Sequence, residues 1–397
     1  MVPSEREFSP SRLGSYGAVF RWWVFMSLVW SCGGAEMPRS PAELSLAESV
    51  PAELSLAESV PAEASLAKSP VRHVVVISVD GLNSEHLLAA LDRGSLPTLA
   101  RLRREGSATV NARTDYDVTL TLPNHITMLS GRPVLGRPGL PHAAYHGYVL
   151  NVVPSVGDTI HRHAGGAEGY VTTMFDVAHD LGLSTGIFAS KPKFSLFWAS
   201  LNEGNGGLDT TGRDQGRNKL DHFVVDEDTA ALVAGFCERM RSSAIALSFV
   251  HLRDPDMAGH LAGWGRDMYA AALEHSDVLL AEILACVEAT PRLAGSTAII
   301  VTSDHGGVKY SHHEPHLPAN YTVPLFVWGP QVPAGLDLYR ASSGHYADPG
   351  GRRPSYADVP QPIRNGDAAN LALRMLGLPP IEDVMMSGDL LAGYLPR

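Results

Sequence analysis

The chain has 397 residues, and its 31 basic and 42 acidic side chains give a formal net charge of −11. An acidic chain without a basic run is poorly suited to contacting the phosphates of nucleic acids, so no nucleic-acid polymer is expected as a partner. Apolar residues make up 45% of the chain, which excludes wholesale disorder. Three cysteines are too few for a disulfide scaffold or a zinc site built from thiolates.

Residues 1–35 have the pattern of a secretory signal peptide. Arg21 precedes an uncharged run, Trp22 to Cys32, and small residues follow. This run is too short to span a membrane, which takes about 20 residues. Cys32 followed by two glycines is also typical of a bacterial lipoprotein. Two alternatives stay open, a lipid anchor on Cys32 or cleavage after Ala35. Both predict export, with the protein periplasmic, anchored in the membrane as a lipoprotein, or secreted.

Residues 36–70 contain a repeated decapeptide. Its three copies read PAELSLAESV, PAELSLAESV and PAEASLAKSP. Each proline interrupts a helix and each unit allows barely two turns, so no stable repeat structure is expected. The segment is typical of a semi-flexible tether, which leaves residues 71–397 as the folded domain.

From His73 onward, continuous apolar runs alternate with helical patterns. Runs such as HVVVISVDG, without polar alternation, are typical of parallel strands covered on both faces. Residues 268–289 instead carry apolar residues at helical spacings. The alternation predicts a doubly wound α/β fold with a mostly parallel central sheet and helices on both faces. The other predicted strands lie within residues 108–114, 184–190, 244–252, 297–306 and 323–330.

Acidic residues and histidines follow several predicted strands, at the edge where doubly wound sheets bind their ligands. Asp256 and His260 are four residues apart, so one helical turn can direct both at a single ion. Three carboxylates and three imidazoles suit zinc, and six ligands exceed what one tetrahedral ion accepts, which predicts two metal ions. The candidate ligands are Asp80, Asp256, His260, Asp304, His305 and either His312 or His313.

Thr121 is the candidate nucleophile, in the segment DVTLTLPNHITMLSG. Pro123 is predicted as the first residue of a helix. The free N–H groups of that helix N-terminus would face an anion beside Thr121. Because a threonine hydroxyl is inert at neutral pH, it needs a base or a metal ion to become a nucleophile. The alternative is that Thr121 only caps the helix.

These residues together resemble the type I phosphodiesterase/nucleotide pyrophosphatase family of the alkaline phosphatase superfamily. The resemblance covers residues 73–378 and rests on SVDG, TLPNHITMLSG, HGYVLN, DPDMAGH and TSDHGG, in that order. It implies an alkaline-phosphatase-like catalytic domain at 71–397 that binds two zinc ions, with other divalent metals as alternatives. The place where sulfatases carry Cys/Ser-x-Pro-x-Arg reads TLPNH here, which argues against a sulfatase.

The resemblance also implies roles for single residues. One zinc would be held by Asp80, Thr121, Asp304 and His305, and the other by Asp256, His260 and a final histidine. We take His312 as that final ligand, with His313, His316 and His345 left open. Asn151 matches the asparagine whose amide contacts a phosphoryl oxygen. Lys191, after a predicted strand, is a candidate for binding substrate phosphate, the alternative being a solvated surface lysine.

The implied reaction is attack of the Thr121 alkoxide on phosphorus, followed by hydrolysis of a phospho-threonine intermediate. The expected substrate is a small phosphodiester or nucleotide pyrophosphate. Alternatives are a phosphomonoesterase or phosphonate hydrolase on the same site, and a catalytically dead metal-binding lipoprotein. Cys237 and Cys286 are expected to be buried, with a mutual disulfide as an option in an exported protein. The sequence does not indicate the oligomeric state.

Overall fold

The computed structural model describes residues 71–136, 145–163 and 169–395. The signal peptide, the tether and Cys32 lie outside the described residues, so their assignments stay predictions. All described residues belong to one compact unit, Ser65–Arg397. No helix within these three ranges is long and apolar enough to cross a membrane.

The described residues form a sheet of eight strands in the order β4-β3-β5-β1-β6-β7-β2-β8. Every neighbouring pair is parallel except β6–β7 and β2–β7. The predicted α/β class with a mostly parallel sheet is therefore confirmed. The strands are β1 (His73–Val79), β2 (Ser107–Arg113), β3 (Thr185–Ala189), β4 (His222–Val225), β5 (Leu247–Leu252), β6 (Thr297–Thr302), β7 (Thr322–Trp328) and β8 (Leu336–Asp337).

Helices cover both faces of the sheet, because successive residues of the buried strands point to opposite sides. Val74 and Val76 of β1 pack in one core, with α3, α4, α5, α10 and α11, whereas Val75 and Ile77 pack in the other, with α1, α2, α6, α7 and α8. The helices are α1 (Ser84–Asp92), α2 (Pro97–Glu105), α3 (Thr121–Ser130), α4 (Met174–Asp180), α5 (Ser195–Leu201), α6 (Thr229–Ser243), α7 (Asp254–Ala262), α8 (Asp267–Ala289), α9 (Pro318–Tyr321), α10 (Leu338–Ala341) and α11 (Asp367–Met375).

The three central strands end at the same level. β1 pairs with β5 up to Val79–Leu252 and with β6 up to Ser78–Thr302. The residues that follow these strands therefore meet at one edge of the sheet. Gly81, two residues after the end of β1, has a φ of +72°, and a Cβ there would lie 2.9 Å from the Cα of Asp256. Glycine thus allows the end of β1 to approach α7.

Helix α3 begins earlier than the sequence predicted. Thr121 is its first residue, so Pro123 is the third and not the first. A proline is still tolerated there, because the N–H groups of the first helical turn have no partner within the helix. The shift places Thr121 itself on the helix N-terminus, fully buried with the rest of α3.

Candidate metal centre

The first cluster at the strand ends contains four predicted residues, Asp80, Thr121, Asp304 and His305. The Nε2 atom of His305 lies 3.1 Å from Asp304 Oδ2 and 3.5 Å from Asp80 Oδ1. The Thr121 hydroxyl oxygen lies 3.4 Å from the same nitrogen. All four side chains are buried. The structure therefore brings together residues that are up to 225 positions apart in the chain.

The second cluster contains Asp256, His260 and His312. One carboxylate oxygen, Asp256 Oδ1, lies 3.3 Å from Nε2 of His260 and 3.7 Å from Nε2 of His312. The two histidine nitrogens are 3.1 Å apart, and these three ligand atoms form a group that could hold a metal ion. The other open candidates, His313, His316 and His345, are exposed. The geometry thus favours His312 over them.

The two clusters touch each other. The rings of His305 and His312 stack with centroids 3.5 Å apart and an angle of 8° between the planes. Asp80, Asp256 and His305 also offer three ligand atoms within reach of one another. The clusters therefore form one continuous site along the strand ends.

Backbone carbonyls orient all three histidines in the same way. Nδ1 of His260 bonds the carbonyl of Tyr310 at 3.0 Å, Nδ1 of His312 bonds Thr119 at 2.5 Å, and Nδ1 of His305 bonds Gly306 at 2.9 Å. A carbonyl only accepts, so each Nδ1 carries the hydrogen and each Nε2 keeps its lone pair toward the clusters. Burial lowers the pKa of both His305 and His312, which favours the neutral, metal-binding form.

Three buried carboxylate oxygens at this site accept no hydrogen bond, namely Asp80 Oδ1, Asp256 Oδ1 and Asp304 Oδ2. A buried charged oxygen without a partner is costly unless a cation satisfies it. These oxygens and the three Nε2 lone pairs are the donor types that zinc prefers. The residues present therefore fit the metal ions that the sequence analysis predicted.

Lys191 is buried, which corrects the alternative of a solvated surface lysine. Its Nζ donates to Asp80 Oδ2 at 2.5 Å and to Asp256 Oδ2 at 2.6 Å. Burial alone would lower the pKa of Lys191, but Asp80, Asp256 and Asp304 outweigh it and raise the pKa, so the ammonium is charged. The side chain thus bridges both clusters.

Asn151 lies beside the candidate nucleophile. Its Oδ1 accepts from the backbone N–H of Leu122 at 3.1 Å, at the start of α3 directly after Thr121. The same oxygen accepts from Lys193 Nζ at 3.1 Å. The amide oxygen is therefore held at the start of α3, at the residue after Thr121, where the sequence analysis predicts a group that contacts a phosphoryl oxygen.

Sequence reasoning missed two polar residues around the site. Buried His251, inside β5, has its Nε2 2.9 Å from Asp80 Oδ2. His125 bonds the carbonyl of Thr121 through Nδ1 at 2.7 Å and the Ser78 hydroxyl through Nε2 at 2.9 Å. His125 stands in the TLPNHITMLSG segment, so it had a positional signal, whereas His251 is hidden within an apolar strand.

Comparisons with known proteins agree with this architecture. The sequence profile of the type I phosphodiesterase / nucleotide pyrophosphatase family matches residues 74–324. Among curated proteins, none is significantly similar in sequence. Murine ectonucleotide pyrophosphatase/phosphodiesterase 5, solved as an inactive variant in complex with AMP, is 14% identical, with a TM-score of 0.55 over 82% of this chain and 100% of that one. The human protein of the same name is 13% identical, with the same TM-score and coverage.

At such identities the two solved structures establish only a shared fold. The family profile goes further, because it spans more than half of the chain and contains Asp80, Thr121, Asp256, Asp304 and His312. Membership of this family supports hydrolysis of phosphoric esters. The chain belongs to the type I phosphodiesterase/nucleotide pyrophosphatase family.

Proposed function

We propose that the protein is an exported hydrolase that cleaves phosphodiester or nucleotide pyrophosphate bonds at a two-zinc site, through a phospho-threonine intermediate. The observation that carries the proposal is the position of Thr121. Its hydroxyl lies at the N-terminus of α3, 3.4 Å from Nε2 of His305, with the unpaired oxygens of three buried carboxylates in the same site.

Asp80, Thr121, Asp304 and His305 would hold one zinc ion, and Asp256, His260 and His312 the other. Zinc there would lower the pKa of the Thr121 hydroxyl and stabilise negative charge on the leaving oxygen. The protein side chains would orient the ligands and the substrate. Carbonyl-bound Nδ1 atoms hold the histidines in place. The N–H of Leu122 donates to Asn151 and the N–H of Asn124 donates to the carbonyl of Leu120. The Asn151 amide, and not these N–H groups, would therefore contact a non-bridging oxygen of the substrate.

The bond changes follow from this arrangement. The Thr121 hydroxyl loses its proton and its oxygen attacks phosphorus, while the bond from phosphorus to the leaving oxygen breaks. The leaving oxygen takes up a proton, and the first product departs. Water then attacks the phospho-threonine and regenerates the hydroxyl. Other divalent metals remain an alternative to zinc, because carboxylates and imidazoles bind several of them.

A second candidate function is hydrolysis of phosphomonoesters or phosphonates at the same site. The observation in its favour is the pair of lysines at the site. Lys191 stands between Asp80 and Asp256, and Lys193 contacts Asn151. Positive charge of this kind suits a substrate end with more than one negative charge. A direct contact of Lys191 with the substrate remains part of this proposal.

Turnover of bis(4-nitrophenyl) phosphate and of 4-nitrophenyl phosphate by the zinc-loaded protein separates these functions. A faster diester rate that falls by about three orders of magnitude or more in Thr121→Ala supports the diesterase. Thr121→Ser keeps a hydroxyl and is the matched control, which should retain part of the rate. A faster monoester rate selects the second candidate. If both substrates are inert while two zinc ions are bound, the result points to a narrow substrate range or to a metal-binding protein without this activity.

Export is the part of the proposal that rests on residues 1–35 alone. Arg21, the uncharged run to Cys32 and the small residues after it support a cleaved signal. Mass spectrometry of the mature N-terminus after expression in a bacterium tests it. A lipid-modified Cys32 indicates a membrane-anchored lipoprotein, a chain that starts after Ala35 indicates a soluble exported form, and an intact N-terminus in the cytosol contradicts export.

A further inference from the structure

Two buried cysteines face each other between helices, away from the metal centre. Cys237 lies in α6 and Cys286 in α8, with 5% and 6% of their surfaces exposed. The Cys286 thiol points at the backbone carbonyl of Cys237, 3.5 Å away. The Cys237 thiol points at the carbonyl of Glu282, one turn before Cys286, 3.9 Å away. Each sulfur thus reaches the backbone of the opposite helix.

The environments of the two thiols differ. The hydrogen bond from the Cys237 thiol and the positive charge of Arg241 lower the pKa of Cys286 to about 7. Arg241 stands one turn after Cys237, and its Nη1 donates to the Cys286 sulfur at 3.7 Å. The hydrogen bond with Cys286, together with burial, raises the pKa of Cys237. A thiolate beside a thiol is the arrangement that thiol–disulfide exchange needs.

We propose that Cys237 and Cys286 form a disulfide that joins α6 to α8. The oxidant is a small-molecule disulfide. The Cys286 thiolate attacks one of its sulfurs, which forms a mixed disulfide and releases one small thiolate. Cys237 then loses its proton, and its sulfur attacks the Cys286 sulfur, which releases the second small thiol. Two protein thiols are oxidised and one small disulfide is reduced to two thiols.

The cross-link would close residues 237–286 into a covalent loop that contains β5 and α7. Helix α7 carries Asp256 and His260, two of the candidate metal ligands. The two helices that bear the cysteines pack directly against each other, and α8 also packs against α7. A disulfide here therefore ties both ends of the segment that presents the second ligand cluster, and it limits the opening of this segment in the unfolded chain.

The full chain with Cys32→Ser tests the proposal, because Cys237 and Cys286 are then its only thiols. The protein is refolded, or incubated folded, with oxidised glutathione at pH 8 and then unfolded for thiol counting. We expect free thiols to fall from two to none, the mass to drop by two hydrogen atoms, and the peptides that contain the two cysteines to be joined. The Tm should rise by roughly 5 °C over the reduced form.

Two further variants are matched controls. In the same background, Cys237→Ser and Cys286→Ser each retain one thiol, so neither variant can form the cross-link. Oxidation should therefore leave the Tm of both variants unchanged. Two thiols that stay free after oxidative refolding would overturn the proposal. Two separate glutathione adducts would overturn it as well, and a cross-link without a rise in Tm would refute the stabilising role. None of these outcomes depends on phosphoester hydrolysis.

Discussion

Substitution of Lys191 gives the sharpest test of how the buried charges of the metal centre compensate one another. Its ammonium donates to Asp80 at 2.5 Å and to Asp256 at 2.6 Å, and its side chain is 8% exposed. Removing one partner of a buried ion pair costs about 3–5 kcal/mol, because the remaining charge is left unpaired in a poorly solvated place. Lys191→Met should therefore lower the Tm of the metal-free protein by roughly 5–10 °C.

Zinc should reverse much of this loss. A divalent cation between Asp80 and Asp256 replaces the positive charge that the substitution removes. In the variant, the cation also no longer competes with the Lys191 ammonium for these carboxylates. Thermal unfolding is measured for both proteins with a chelator and with excess zinc. We expect zinc to raise the Tm of Lys191→Met more than that of the unmodified protein.

A second buried lysine offers a matched control for the size of the effect. Lys219 bridges Asp180 at 2.5 Å and Asp209 at 2.7 Å, and its side chain is 1% exposed. In the presence of the chelator, Lys219→Met should lose stability of the same order. The reasoning fails if Lys191→Met is as stable as the unmodified protein without metal, or if its deficit persists unchanged in zinc.

Three further predictions concern Asn151, His312 and His146. His146 is the buried histidine of HGYVLN, and its Nε2 lies 3.1 Å from the Thr127 hydroxyl of α3. Asn151→Ala should lower kcat on the preferred ester by about 10²–10³-fold, as expected for a lost transition-state contact, with no change in zinc content by mass spectrometry. His312→Ala should reduce the bound zinc, whereas the exposed His345→Ala should not; the reverse result would move the last ligand to His345. Burial lowers the pKa of His146 to about 3, so its contribution to stability is complete above pH 6.5 and is lost as the pH falls toward 3, by about 2 kcal/mol at pH 5. Chemical denaturation at pH 7 and pH 5 should show that the free energy of unfolding falls less in His146→Gln than in the unmodified protein. Equal decreases would contradict the assignment of this pH dependence to His146.

Much of the centre could be predicted from the sequence because parallel strands end at a common edge. The apolar runs of β1 and β6 are long, so Asp80 and Asp304 could be placed at strand ends. Two other strands lacked such a signal. β4 is four residues long and mostly half-buried, and β8 has only two residues. Too few side chains repeat in either for a period to be recognised.

The tertiary contacts of the site residues could not be predicted from the sequence. Lys191 stands 111 residues from Asp80, and its position after β3 is equally compatible with a solvated side chain. Only the pairing of β3 with β5 carries it to the acids. His251 was hidden for the same reason. It lies between apolar neighbours in β5, and it reaches Asp80 only because β5 pairs with β1. Side-chain direction at a strand end depends on such pairings.

The charges at the centre also predict an order of binding. Asp80, Asp256 and Asp304 face a single buried lysine, an excess of 3 − 1 = 2 negative charges when all three are ionised. Burial, together with the charge of Asp80, raises the pKa of Asp304, so a proton held there reduces the excess without removing it. An anionic phosphoester would be repelled from such a site until cations are bound. Inorganic phosphate should therefore bind the zinc-loaded protein at pH 8 and bind the chelated protein at least tenfold more weakly, a difference of about 1.4 kcal/mol. Equal affinities by calorimetry would mean that the lysines alone attract the anion, and the role of the carboxylates would have to be reconsidered.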